Sequence, residues 1–151
     1  MIFLDAGPLI AFFNGRDRYH LQAKHVFEEL FSLKRTFITT NRVIAEVYDA
    51  IRYDRRLSHK KDAKRALAIF DALEASKEFI DVLFTDRNLE QKAIDILRAY
   101  SDQDFSFTDA TSFAMIEEKG IKQVLTLDVA HFSTYRPAKG KKFSFYPLTL
   151  T

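Results

Sequence analysis

The N-terminus carries a short apolar run that stops abruptly at an acid, and this run restricts the possible folds more than any other stretch. Ile2, Phe3 and Leu4 precede Asp5, and Pro8 follows within further apolar residues. Proline suits the first turn of a helix, so the segment predicts a buried strand, a tight turn and a helix that packs onto the sheet. In open α/β sheets, ligands bind at the carboxyl ends of strands, which is where we expect Asp5.

Asp5 has two interpretations on this evidence. Asp before a helix is a common N-cap, and on this segment alone capping is the better supported role. The arrangement recurs, however, because a second β-type run, 124–127, ends at Asp128, and Asp109 lies where a helix is expected to start. Two strands that end in acids and a helix that begins with one could bring three carboxylates to one edge of a sheet. Such a cluster is a typical site for a hard cation.

The remaining segments predict alternating strands and helices. Apolar periodicity indicates helices at about 19–32, 41–54, 58–76, after Asp86 and at 109–119, and strands at 35–39, 79–84, 124–128 and 142–146. Thr40 or Asn41, Asp86 and Thr108 are the expected N-caps, and Gly120 the expected stop. Alternation of this kind implies right-handed crossovers and an α/β fold with a parallel sheet between two helical layers.

Glu46 is a fourth acid with a comparable setting, on the helix that follows the second strand. One interpretation is an i, i+4 pair with Arg42, which is worth only a few tenths of a kcal/mol. The other is that Glu46, in the second turn of its helix, reaches the same sheet edge as Asp5. The sequence does not decide between the two.

Composition sets the limits of the chain's chemistry. With 151 residues, 47% of them hydrophobic, and 15 Phe, the chain suits one compact domain over residues 1–151. It has no cysteine, which excludes disulfides, thiolate metal sites and a cysteine nucleophile. No apolar run approaches the roughly 18 to 20 residues of a membrane span, and no signal peptide is recognisable. We therefore expect a cytoplasmic protein without a membrane partner.

Basic residues are unevenly distributed, although the net charge is only +2. The window 52–65 holds seven basic residues and two acids, and the segment after residue 128 holds four basic residues and no acid. These could be a solvated helical face and a soluble tail. Beside an acidic metal site, they would instead suit a polyanionic substrate. The candidate RNA-binding residues are Lys60, Lys61, Lys64, Arg65, Arg136, Lys139, Lys141 and Lys142.

Four converging acids would be unstable without a counterion. Two like charges about 4 Å apart repel by roughly 4 kcal/mol at an effective dielectric constant near 20. Such a cluster therefore takes up protons or binds divalent metal, and oxygen ligands alone select Mg²⁺ or Mn²⁺. On a phosphodiester, a metal held this way can activate water as the nucleophile and stabilise the leaving oxygen.

At this point the chain resembles PIN-domain ribonucleases, and more narrowly the VapC toxins of toxin–antitoxin pairs. The motifs that carry the resemblance are residues 5–11, Thr39-Thr40 with Glu46, residues 104–110, and residues 125–128 with His131-Phe132. The resemblance implies a PIN-like three-layer α/β/α sandwich with a mainly parallel sheet of four to five strands. It also implies an endoribonuclease that depends on Mg²⁺ or Mn²⁺, forms a homodimer, and is inhibited by a VapB-like antitoxin encoded alongside.

Carried over position by position, the resemblance implies that the catalytic, metal-binding acids are Asp5, Glu46, Asp109 and Asp128, with Asp104 as a fifth metal ligand. Ala6 departs from the family, in which many members have Ser or Thr beside the first Asp. Thr126 could supply that hydroxyl instead, or could be an ordinary β-branched strand residue. His131, three residues after Asp128, is near enough to be considered but is not assigned a role.

Other protein classes fit less well. Receiver domains need adjacent acids after the first strand, whereas Asp5 stands alone. Phosphatases that form an aspartyl-phosphate need a second Asp two residues later, where this chain has Gly7. A PIN-like RNA-binding or scaffolding module without catalytic activity remains the alternative, and the loss of one or more of the four acids would favour it. All four are present.

Overall fold

The structure, a computed structural model, describes residues 1–54, 59–138 and 142–146, without the side chains of 59–62. Strands and helices alternate along most of this length. The strands are β1 (Ile2–Leu4), β2 (Phe37–Thr40), β3 (Ile80–Leu83), β4 (Gln123–Leu125) and β5 (Ser144–Phe145). The helices are α1 (Ala6–Phe13), α2 (His20–Ser32), α3 (Asn41–Arg52), α4 (His59–Ala75), α5 (Arg87–Ala99), α6 (Phe107–Lys119) and α7 (Val129–Thr134). Within the described ranges, none of these helices is long and apolar enough to cross a membrane.

The five strands form one parallel sheet in the order β3-β2-β1-β4-β5, which confirms the predicted α/β architecture. Strand β1 is central, and its Ile2 lies opposite Phe37 on one side and Gln123 on the other. Because the strands are parallel, their carboxyl ends share one edge of the sheet. Asp5 after β1 therefore lies between the segments that follow β2 and β4.

The core is rich in aromatic side chains, which accounts for many of the phenylalanines. Phe3 and Phe37 are fully buried in the sheet, and Phe113 and Phe132 are fully buried in the helices beside it. Phe113 stacks on Tyr135 with ring centroids 4.4 Å apart. These large rings fix the position of α6 and α7 relative to the sheet, and both helices carry candidate site residues near their N-termini.

Two of the element boundaries that differ from the sequence prediction adjoin the candidate acids. Helix α6 is capped by Ser106, not Thr108: the Ser106 hydroxyl accepts from the Asp109 N–H at 2.9 Å, and the Asp109 carboxylate accepts from the Ser106 N–H at 2.9 Å. This reciprocal capping box satisfies two otherwise free backbone donors. Strand β4 ends at Leu125, because the Thr126 hydroxyl accepts the Asp128 N–H at 2.9 Å and closes a turn.

Three other predicted helix ends are confirmed. Thr40 caps α3 by accepting from the Val43 N–H at 3.2 Å, and Asp86 caps α5 by accepting from the Leu89 N–H at 2.8 Å. Gly120 ends α6 with a φ of +64°, a left-handed conformation that favours glycine.

Candidate functional site

Asp5 is a buried acid that does not serve as a side-chain cap. It occupies the N-cap position of α1, yet its carboxylate makes no capping hydrogen bond. The Thr126 hydroxyl donates to Asp5 Oδ2 at 2.6 Å, and the Ala6 N–H also donates to the carboxylate. Only 7% of Asp5 is exposed. The carboxylate is therefore held in one orientation at the centre of the sheet edge, and the simple capping interpretation is wrong.

The environment of Asp5 raises its pKa to about 6. Burial is the largest cause, because it penalises the charged form. The hydrogen bonds from Thr126 and Ala6 lower the pKa, and the negative charges of Asp109 and Glu46 raise it. The structure thus brings these two acids within electrostatic range of Asp5.

Asp109 and Asp128 are joined by an imidazole that the sequence analysis left without a role. Nδ1 of His131 lies 3.0 Å from Asp109 Oδ2 and 2.9 Å from Asp128 Oδ2. The backbone N–H of His131 donates to Asp128 Oδ1 at 3.1 Å. Asp128 therefore caps α7 while its other carboxylate oxygen contacts the His131 ring. A single ring nitrogen can donate one proton to only one carboxylate at a time. His131 therefore links the two acids, and its ring packs edge-on against Phe105.

Thr126 connects the buried acid to the acid on α7. Its hydroxyl donates to Asp5 and accepts from the backbone N–H of Asp128. The residue lies just past the end of β4, so it is not an ordinary strand residue. The signal in the sequence was the hydroxyl two residues before Asp128. Recognising its contact with Asp5 required knowing where the strand ends.

Glu46 is exposed on α3, close enough to Asp5 for its charge to raise the pKa of that residue. Arg42 does not pair with it. The Arg42 guanidinium instead binds Glu90 on α5, with Nε 3.1 Å from Oε1. The hypothesis that Glu46 serves mainly as an i, i+4 partner of Arg42 is therefore wrong.

Asp104 and the basic residues that the structure describes make no contact with this group. Asp104 is exposed before α6, and no contact within the described residues joins it to the other four acids. Lys64 and Arg65 are exposed on α4, as are Arg136 and Lys142 further along the chain. The side chains of Lys60 and Lys61, and all of Lys139 and Lys141, fall outside the described residues.

The oxygen-rich donor set suits a divalent cation, although its side chains do not form a complete coordination site. Among the side chains that the structure describes, no group of three or more acids or imidazoles is arranged to hold a metal ion by itself. Mg²⁺ commonly binds through only one or two carboxylates and completes its shell with water and substrate phosphates. A buried carboxylate with a raised pKa and two acidic neighbours fits that mode of binding.

Comparison with known proteins gives matches over most of the chain. The PIN domain model matches residues 2–136. The 23S rRNA-specific endonuclease VapC20 of Mycobacterium tuberculosis, in strains CDC 1551 / Oshkosh and ATCC 25618 / H37Rv, is 30% identical over 141 residues, which is 91% of this chain and 99% of the relative. The crystal structure of M. tuberculosis VapC20, titled a sarcin-ricin loop cleaving toxin, matches with a TM-score of 0.67 and 26% identity, covering 82% of this chain and 87% of that one.

Proposed function

The chain belongs to the PIN-domain family, as an endoribonuclease of the VapC toxin type, and we propose that it hydrolyses 23S rRNA with the help of Mg²⁺ or Mn²⁺. The rRNA substrate is supported by the match to VapC20, which spans nearly the full length of that protein. The observation that carries the chemistry is the buried Asp5, with a raised pKa, beside Asp109 and Glu46. Asp5, Glu46, Asp109 and Asp128 are the proposed catalytic and metal-binding residues.

The four carboxylates differ in how firmly neighbouring groups hold them, and together they could bind one divalent cation. A divalent cation held by them would lower the pKa of an attacking water and offset the charge that develops on the phosphate during hydrolysis. Thr126 and the Ala6 N–H orient Asp5 in a buried setting, where electrostatic interactions are stronger than in water. Asp109 and Asp128 are oriented by His131, and Glu46 extends from α3 into a more exposed position.

Cleavage of defined RNAs tests this proposal. The protein is incubated with intact ribosomes and with a synthetic hairpin of the sarcin-ricin sequence, with Mg²⁺ or Mn²⁺, and the cut is mapped by primer extension. We expect a single endonucleolytic cut with a 5′-phosphate and a 3′-hydroxyl, and no cut of the hairpin after EDTA treatment. Cleavage of other RNAs with 23S rRNA left intact would contradict the substrate. Unchanged hairpin cleavage in EDTA would contradict the metal requirement.

The proposed protein partners are a second copy of the chain and a VapB-like antitoxin. Large apolar side chains remain exposed on and after α3, on α4 and after β3, including Tyr53 (68%), Leu67 (54%), Phe70 (47%) and Phe84 (78%). A symmetric dimer would cover part of this surface. Light scattering at micromolar concentration should give the mass of a dimer, and a monomer would contradict the homodimer but not the nuclease.

A further inference from the structure

Phe107 is an exposed aromatic residue beside the candidate site. It is the first residue of α6, two residues before Asp109, and it is 37% exposed. The guanidinium carbon of Arg42 lies 5.4 Å from the centroid of its ring, over one face. Arg42 is one helical turn before Glu46 on α3. The Arg42–Phe107 contact therefore joins the two helices that carry acids interacting with Asp5.

Hydrogen bonds to Glu90 hold the Arg42 guanidinium in position against one face of the Phe107 ring. Glu90 accepts hydrogen bonds from Arg42 and, at 3.0 Å, from the Thr85 hydroxyl. The Thr85 N–H in turn donates to Asn41 Oδ1 at 2.9 Å, which ties this network to the start of α3. The Arg42 charge is thus paired with Glu90 and is not freely available to a phosphate.

The surroundings of the ring suit an uncharged, flat ligand. Acids on both helices repel phosphate in the absence of metal, and the Arg42 guanidinium over the ring is already paired with Glu90. A nucleobase has no net charge, and its π face packs on an aromatic ring whatever its sequence. RNA loops supply such unpaired bases. Exposed Phe70 and Phe84, by contrast, line an apolar groove between α3, α4 and β3.

We propose that Phe107 is a substrate-positioning residue that stacks on an unpaired RNA base beside the scissile phosphate, with Arg42 holding the ring in place. This inference rests on the proposed nuclease function and adds a specific contact to it. Stacking on a ring so close to Asp109 would place the neighbouring phosphate at the acids. The contact favours loop RNA over duplex RNA, because bases in a duplex are already stacked on one another.

The test uses RNA binding and a spectroscopic signal of stacking. Hairpins that carry 2-aminopurine at one loop position at a time are bound to protein with the Asp5→Asn change, which prevents cleavage. We expect one position to be quenched on binding. Adding Phe107→Leu should remove that quenching and weaken affinity by about fivefold to a hundredfold, the range for loss of one stacked base. Phe107→Tyr should retain both the quenching and the affinity.

Two controls separate stacking from a merely structural role. Leu21→Ala removes an exposed apolar side chain on α2, away from this contact and from the proposed dimer surface, and should leave RNA affinity and quenching unchanged. An abasic nucleotide at the quenched position should weaken binding to protein that retains Phe107 by the same factor as Phe107→Leu weakens binding of the intact hairpin. Combining the abasic nucleotide with Phe107→Leu should cause no further loss of affinity. In otherwise wild-type protein, Phe107→Leu should raise the KM for RNA cleavage by the factor by which it lowers RNA affinity. It should change kcat by less than about twofold.

The outcomes distinguish this inference from the function on which it rests. If wild-type protein cleaves the hairpin while Phe107→Leu binds and quenches like its parent, the stacking role is overturned and the nuclease stands. If Phe107→Leu does not fold, the abasic series decides, and an affinity that is unchanged at every loop position overturns the stacking role. If wild-type protein cleaves no RNA, the proposed function itself fails.

Discussion

At the scale of single residues, the main conclusion concerns a carboxylate whose surroundings disfavour its charge. Burial and the charges of Asp109 and Glu46 raise the pKa of Asp5 above its ordinary value of 3.8, against the opposing hydrogen bonds from Thr126 and Ala6. The position of Asp5 at a strand end was predictable from sequence. Its contact with Thr126 was not, because the strand predicted over 124–128 stops at Leu125.

The raised pKa of Asp5 predicts how the stability of metal-free protein depends on pH. The folded state holds the Asp5 proton more tightly than the unfolded state, so the contribution of Asp5 to stability is fully present below about pH 4 and is lost as pH rises through about 6. The loss is on the order of 3 kcal/mol for a shift of this size. Denaturant melts in EDTA should show this decline in wild-type protein and a much flatter profile for Asp5→Asn. An identical slope in both proteins would contradict the assignment.

Thr126 gives a second prediction at this scale. Thr126→Val removes the hydrogen bond to Asp5 and leaves the Asp128 N–H without its acceptor. We expect a loss of stability of about 1–3 kcal/mol and a lower kcat for RNA cleavage. Thr126→Ser keeps the hydroxyl and serves as the matched control, so it should retain most of the stability and activity. Equal behaviour of the Val and Ser variants would show that the hydroxyl is unimportant.

At the scale of elements, helix starts place the acids. Asp109 accepts from the Ser106 N–H as part of the α6 capping box and also lies against His131. Ser106 and Thr108 are both good N-caps by residue type. The structure selects Ser106, because that choice makes Asp109 the third helical residue and lets its carboxylate reach back. Sequence could predict the helix but not this choice between two candidate caps that are two residues apart.

A pair of cap variants tests this arrangement. Ser106→Ala removes the hydroxyl that accepts from the Asp109 N–H, and it should lower the free energy of unfolding by about 1 kcal/mol. Thr108→Ala leaves that hydrogen bond intact and should have a smaller effect. Urea melts of the two variants compare them directly. A larger loss for Thr108→Ala would mean that the helix is capped at the residue predicted from sequence.

At the scale of the whole molecule, the parallel sheet explains why distant segments meet. Strands β1 and β4 are neighbours, although residues 5 and 128 are far apart in sequence, and the segments that follow both strands emerge on one edge. Strand alternation made this predictable. The contact of His131 with the acids was not predictable, because it depends on the short helix α7, which directs the His131 ring towards Asp109.

Charge over the whole surface predicts how RNA affinity responds to salt. Affinity should fall as salt rises, because basic side chains that bind phosphates release counterions. Replacing the exposed pair Lys64 and Arg65 by Gln, or Arg136 and Lys142 by Gln, should weaken RNA binding and reduce the salt slope by about one to two, with kcat little changed. Unchanged affinity and slope in both variants would assign these residues to a solvated surface with no role in RNA binding.

The central claim is that the carboxylate of Asp5 takes part in RNA hydrolysis. The most direct measurement is the single-turnover rate at which wild-type protein and Asp5→Asn cleave the same hairpin in Mg²⁺, with equal folding verified by circular dichroism. We predict that Asp5→Asn is slower by about a hundredfold or more, as expected when a group that stabilises charge in the transition state is lost. Equal rates for the two proteins would contradict the claim.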